Sequence, residues 1–141
     1  DWSSDVCSSD LGQIVAIERD EKRAEQILAN VENFNVGNID VVQAFLPEGL
    51  DDLPPPNRVF IGGGGKRLPA IIESVSEKLL PKGRLVVNTV LLETMTAALS
   101  TLKRLGYKTD VVQVQVNEGA LMPFGMRFAA RNPVWIISGE L

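Results

Sequence analysis

Four short, nearly continuous apolar runs, at residues 13–17, 39–42, 58–61 and 84–88, alternate with segments whose apolar residues recur at helical spacing. A strand that is apolar throughout belongs where helices cover both faces of a sheet, so the alternation predicts an α/β fold with a largely parallel sheet. In the first helical segment Ala24, Ile27, Leu28, Val31 and Phe34 fall on one face, with Asp20 placed to cap its start and Gly37 just beyond its end. In the second, Pro69 suits the first turn, Ile72, Val75 and Leu79 form the stripe, and Pro81, Lys82 and Gly83 stop it. The third carries Leu92, Met95, Leu99 and Leu102 and ends at Leu105 and Gly106.

After Gly106 the period changes. Val112, Val114 and Val116 alternate with Gln113, Gln115 and Asn117, and a last apolar run follows at residues 133–137. These two runs suit an antiparallel pair joined by a long irregular loop containing Pro123 and Gly125, appended to the parallel part. At 141 residues the chain has room for one ordinary core, and one domain is expected.

The charge balance argues against a nucleic-acid partner. The net charge is −4, and without Asp1, Asp5 and Asp10 the remaining chain carries 14 basic against 15 acidic residues. Lys and Arg are scattered singly or in pairs, whereas backbone phosphate recognition needs them clustered. No apolar run reaches the roughly 20 residues that span a bilayer, so no membrane partner and a cytoplasmic location are expected. The chain has no His, so a general base would come from Asp, Glu, Tyr, Lys or the substrate itself. Its one cysteine, Cys7, excludes an internal disulfide.

In open α/β folds, ligands bind at the carboxyl ends of the strands. Glu18 follows the first strand, where a carboxylate can accept hydrogen bonds from a vicinal diol such as a ribose, or simply sit solvated at a helix start. Residues 62–65, four consecutive glycines after the third strand, permit close approach of a ligand or form a tight turn. They match neither the phosphate-loop nor the GxGxxG pattern. Asn88 ends the fourth strand with Glu93 nearby; a turn residue and a first-turn helix acid are the plain alternatives. Phe124 and Met126 suit the cover of a flat ligand or an ordinary loop plug, and Trp135 is expected in the core.

Taken together, residues 16–20, 44–50, 59–65 and 81–93 resemble the decarboxylating precorrin methyltransferase domain of cobalamin biosynthesis. The glycine turn after Ile61, combined with the Asn-x-Val-x-Leu-Glu segment at 88–93, is the most particular part. The resemblance runs from Gly12 essentially to Leu141. It implies a class I methyltransferase, Rossmann-like sheet of order 3-2-1-4-5-7-6 and the methyl donor S-adenosyl-L-methionine as cofactor. The implied reaction is methylation at C15 of a precorrin tetrapyrrole with loss of the carboxyl group of the C12 acetate.

Carried over residue by residue, the resemblance implies that Glu18 binds the ribose hydroxyls, with Arg19 beside it. Ala44 and Phe45 would line the adenine pocket. Gly62, Gly63 and Gly64 would border the cleft, with Gly62 and Gly63 toward the cofactor and Gly64 toward the substrate. Asn88, Thr89 and Glu93 would face the substrate, and residues 122–127, including Phe124, would form part of a lid. The family often has Gly at the position of Ala44 and Thr at that of Leu91; the first change narrows the adenine loop and the second removes a hydroxyl. No catalytic residue is assigned. The family implies a homotetramer, fused to or partnered with a C5-methyltransferase domain in some members.

Residues 1–11 are polar, rich in Ser and Asp, and lack either periodicity. They read like a sequencing-library adapter translated in frame and are expected to be artefactual, leaving 12–141 as a partial methyltransferase domain. Family members open with a further strand and a glycine-rich turn that holds the methionine part of the cofactor. Without them the sheet is expected either to leave a gap or to close the first strand here against the third, and the polypeptide is expected to be weakly active or inactive. Two other readings stay open: a different class I methyltransferase acting on a small molecule or a protein, and a non-catalytic nucleotide-binding module.

Overall fold

The computed structural model describes residues 12–141, so the expectation for residues 1–11 lies outside it. Eight strands and three α-helices follow in the order β1 (Ile14–Glu18), α1 (Glu21–Asn33), β2 (Ile39–Gln43), β3 (Arg58–Ile61), α2 (Leu68–Lys78), β4 (Arg84–Thr89), α3 (Leu92–Arg104), β5 (Lys108–Val114), β6 (Asn117–Met122), β7 (Gly125–Ala130) and β8 (Val134–Glu140). Two compact units result, the first ending at Asp51 and the second running from Asp52 to Leu141. One domain was the expectation from length. The division follows from the pairing: β1 and β2 form a sheet of their own, and β3 pairs with β4 but not with β1.

In the first unit β1 and β2 are parallel, with Ile14 opposite Ile39 and Glu18 opposite Gln43. The Asp20 carboxylate caps α1 by accepting a hydrogen bond from the Arg23 N–H at 3.0 Å. Ala24 is buried, but Leu28 and Phe34 are exposed, which corrects the predicted stripe. Phe34 is the residue after the last turn, and the reversal that ends the helix is made by Asn35 at φ 51° rather than by Gly37. A short polar side chain tolerates that left-handed conformation.

In the second unit a four-stranded sheet has the order β3-β4-β8-β5, parallel between β3 and β4 and antiparallel on both sides of β8. Relabelled in the family's scheme this is 4-5-7-6, and β2-β1 is 3-2. The core lies where α2 and α3 meet the sheet: Leu68, Ile72, Leu85, Val87, Leu102 and Ile137 are fully buried. Two stripes are shifted from expectation. Helix α2 stops at Lys78, so Leu79 is its extended cap, and Leu68 and Ile71 join the core instead. Helix α3 buries Ala98, Thr101 and Leu102, while Leu92 stays exposed. Thr101 tolerates burial because its hydroxyl donates to the Ala97 carbonyl at 2.8 Å.

The connection from β5 to β8 is not an irregular loop. It folds as a hairpin, β6 and β7, with Pro123 and Phe124 between the strands and Met122 opposite Gly125. Edge strand β5 is exposed at Val111, Val112 and Val114, so its expected alternation between buried and solvated faces is not realised. Trp135 is half-buried; its neighbour Ile137 is the core residue of β8.

Candidate functional site

The carboxyl rim of the first unit is built by β1 and β2 running in parallel, which delivers the residues after each strand to one edge. Glu18 is the last residue of β1. Its Oε1 accepts hydrogen bonds from the backbone N–H of Arg19 at 2.9 Å and of Asp20 at 3.0 Å. Those bonds turn the carboxylate back over the rim and fix one oxygen, and the other has no partner among the described residues.

Ala44 is tied to the same rim, since its N–H donates to the Glu18 carbonyl at 3.1 Å. The next residue, Phe45, is about half exposed and lies under the Arg19 guanidinium, 5.9 Å from ring centroid to Cζ. The loop then closes on itself: the Leu50 N–H reaches the Pro47 carbonyl, and Leu50 is buried. Gly49 has φ 86°, and a β-carbon there would stand 3.0 Å from that of Ala44. The β-carbon of Ala44 thus already fills the inside of this loop. All four residues predicted for the adenosine side, Glu18, Arg19, Ala44 and Phe45, are neighbours.

The second unit has its own carboxyl rim. Ile61 is level with Val87, so Gly62 leaves β3 beside Asn88, which stays in β4 opposite Ile136 of β8. A 3-10 turn, Gly65–Arg67, links the glycines to α2. Gly64 needs to be glycine on the fold's own account: φ is 111°, and a β-carbon would lie 3.2 to 3.3 Å from Leu68 and Ile71. Asn88 has its Oδ1 buried without a hydrogen-bond partner.

Thr89 accepts the Leu91 N–H on its hydroxyl at 3.1 Å, which shapes the entry to α3. Its hydroxyl is thereby engaged in the turn, a role that the sequence reading did not include. Glu93 is exposed in the first turn of α3, at the helix end that favours an acid.

Gly62, Gly63, Gly64, Asn88, Thr89 and Glu93 therefore share one rim. Phe124 is not placed among them. Trp135 stands opposite both Thr89 and Gln113, so β5 ends at the same edge and the hairpin springs from it. Phe124, at the hairpin tip, is fully exposed.

The precorrin methyltransferase domain family matches residues 6–138. A probable cobalt-precorrin-6B C(15)-methyltransferase (decarboxylating) of Sulfurisphaera tokodaii is 39% identical over 129 residues, covering 92% of this chain and 67% of the relative. The crystal structure of a precorrin-6y C5,15-methyltransferase from Geobacter metallireducens superposes with a TM-score of 0.86 at 40% identity, over 93% of this chain and 69% of that one. The C-terminal domain of a precorrin-6Y C5,15-methyltransferase from Rhodobacter capsulatus gives a TM-score of 0.79 at 30% identity, over 92% and 69%. The chain thus spans about two thirds of the length of these proteins. Its α/β architecture, with a mixed sheet, is the Rossmann-like fold of class I methyltransferases, and the chain belongs to the precorrin methyltransferase domain family.

Proposed function

We propose that this domain methylates C15 of a precorrin from S-adenosyl-L-methionine and removes the carboxyl group of the C12 acetate, a step of cobalamin biosynthesis. The observation that carries the reading is the Glu18 carboxylate, held by its own backbone amides beside Ala44 and Phe45 at the end of two parallel strands. A carboxylate with one oxygen anchored and the other open suits a ribose diol, and a half-exposed aromatic ring next to it suits a purine. The residues fit the cofactor. When bound, it supplies a methyl group already activated on a sulfonium. The chain contributes orientation: Glu18, with Arg19, Ala44 and Phe45, holds the adenosine end. Loss of carbon dioxide leaves electron density that the conjugated macrocycle of the substrate can accept.

Supplied at the full length of its relatives, the gene is expected to restore growth of a cobalamin auxotroph that lacks this step. Label from the donor's methyl group should appear in a decarboxylated corrinoid. A well-expressed protein that binds the cofactor without any turnover would instead favour a nucleotide-binding module.

We extend the proposal to assembly as a homotetramer, fused to or partnered with a C5-methyltransferase domain. The hairpin supports self-association. Leu121 pairs with Met126 and Gly119 with Phe128, which gathers three apolar side chains on one face, and Leu121 and Phe128 are 85% and 76% exposed. A two-stranded ribbon with an uncovered apolar face is marginal in water. Serine at both Leu121 and Phe128 is therefore expected to shift the protein toward monomer in light scattering without lowering the melting temperature of the four-stranded unit. An unchanged mass would contradict assembly through this face.

A further inference from the structure

An open cavity of about 410 Å³ lies at the end of the second unit's sheet away from the rim. Arg84, Glu140 and Lys108 are level at that end, whereas Thr89, Trp135 and Gln113 are level at the rim. The walls come from Glu73, Ser76 and Glu77 near the end of α2, from Arg104 and Leu105 at the end of α3, and from Tyr107 at the entry to β5.

Two features of these walls are not explained by folding. The first is the Tyr107 oxygen. Tyr107 is only 5% exposed. The Ser76 hydroxyl donates to the Ile72 carbonyl at 2.6 Å, an oxygen that only accepts, so the 2.9 Å bond between Tyr107 and Ser76 uses the Tyr107 proton. The phenolic oxygen is left as an acceptor that no donor among the described residues reaches.

The second is the placement of Glu77. It is exposed in the last turn of α2, where the helix end favours a cation such as Lys78 and disfavours an acid. Two acids four residues apart on a helix also repel each other, and Glu73 stands one turn before Glu77. Arg104 relieves Glu73 by an ion pair from α3, while Glu77 has no partner among the described residues.

The open groups of the cavity are therefore acceptors with excess negative charge, and Arg104, the cation in its wall, is already engaged. We infer that this cavity binds an aliphatic amine, whose ammonium is taken by Glu77 and the Tyr107 oxygen and whose alkyl stem lies against Leu105. An ammonium has three donors and no acceptor, which matches such a lining. A bare metal ion does not, since no group of three or more acidic, His or Cys side chains that could hold one occurs among the described residues. The site is separate from the rim and independent of the methyltransferase reading.

The test titrates the protein with putrescine in calorimetry at low ionic strength, with potassium chloride of equal ionic strength as the blank. Putrescine is expected to fill one site, with affinity about tenfold weaker in Glu77→Gln and about threefold weaker in Tyr107→Phe. Glu25→Gln, which removes an exposed acid of α1, should leave that affinity unchanged. Without amine, Glu77→Gln should melt no lower than the unaltered protein, because the acid it removes sits at a disfavoured place. S-adenosyl-L-homocysteine affinity should be the same in all three variants.

No heat beyond the salt blank would overturn the inference. So would equal weakening in Glu25→Gln and Glu77→Gln, which is attraction to net charge alone, or a lower melting temperature in Glu77→Gln, which makes that acid a structural group. None of these results touches the methyltransferase reading.

Discussion

Replacing Glu18 with Ala is expected to weaken S-adenosyl-L-methionine binding about 100-fold, measured by calorimetry against the unaltered protein. Each hydrogen bond from a ribose hydroxyl to a carboxylate contributes about 1.5–3 kcal/mol, and two such bonds made by one group account for a loss of this size even after incomplete additivity. Gln at the same position keeps an acceptor without the charge and should lie between. The fold is expected to survive, because the amides of Arg19 and Asp20, which Glu18 accepts, belong to exposed residues that water can serve. The Asp20 cap of α1 is also independent of Glu18. A change of less than threefold in affinity would mean that this carboxylate is only the solvated acid of a helix start.

The largest expected effect on stability is at Leu102. It is fully buried in the face that α3 turns toward the sheet, and the close approach there depends on Gly139 of β8. A β-carbon on Gly139 would stand 3.3 Å from Leu102 and 2.9 Å from Tyr107. With backbone on one side and a closed aromatic on the other, the site has little freedom to collapse after truncation. Leu102→Ala is therefore expected to cost about 3 kcal/mol and to lower the melting temperature by about 10 °C. That is a large share of the roughly 5–15 kcal/mol that holds most domains together. Tyr107 is the control: its hydroxyl donates to Ser76 at 2.9 Å and, with Arg104 paired to Glu73, lines an open cavity of about 410 Å³. Tyr107→Phe keeps the packing and should cost about 1 kcal/mol.

How much of this could be read from residues alone varies with the range of the interaction. Local chemistry was legible: the Asp20 cap, Pro69 in the first turn of α2 and the apolar runs of β3 and β4 are all where pattern places them. The helix faces were less so. In α3 the predicted stripe through Leu92, Met95, Leu99 and Leu102 is right at Leu102, while packing against α2 and the sheet turns Ala98 and Thr101 inward in place of Leu92. The hairpin was missed for a similar reason. Gly119, Pro123 and Gly125 read as an irregular stretch, yet Gly119 lies in β6 opposite Phe128 of β7, a cross-strand pairing with no local signature.

For the site, strand ends were enough to propose Glu18, Gly62 to Gly64 and Asn88, since parallel strands carry their carboxyl ends to a common edge. Their chemistry was not equally visible. The bonds that fix Glu18 and the unpartnered oxygen of Asn88 are facts of three-dimensional placement. The engagement of Thr89 by the Leu91 amide also needed coordinates, because a Thr two residues before a helix is compatible with either a turn or a ligand contact.

Two parallel strands present a fixed carboxylate at their carboxyl end, and its proposed partner is the adenosine of a methyl donor. A crystal structure of the protein with S-adenosyl-L-homocysteine tests this most directly. The expected result has both ribose hydroxyls within about 3 Å of the Glu18 carboxylate and the adenine beside Ala44 and Phe45. A nucleoside bound away from the carboxyl end of β1, with Glu18 in contact with solvent only, would contradict it.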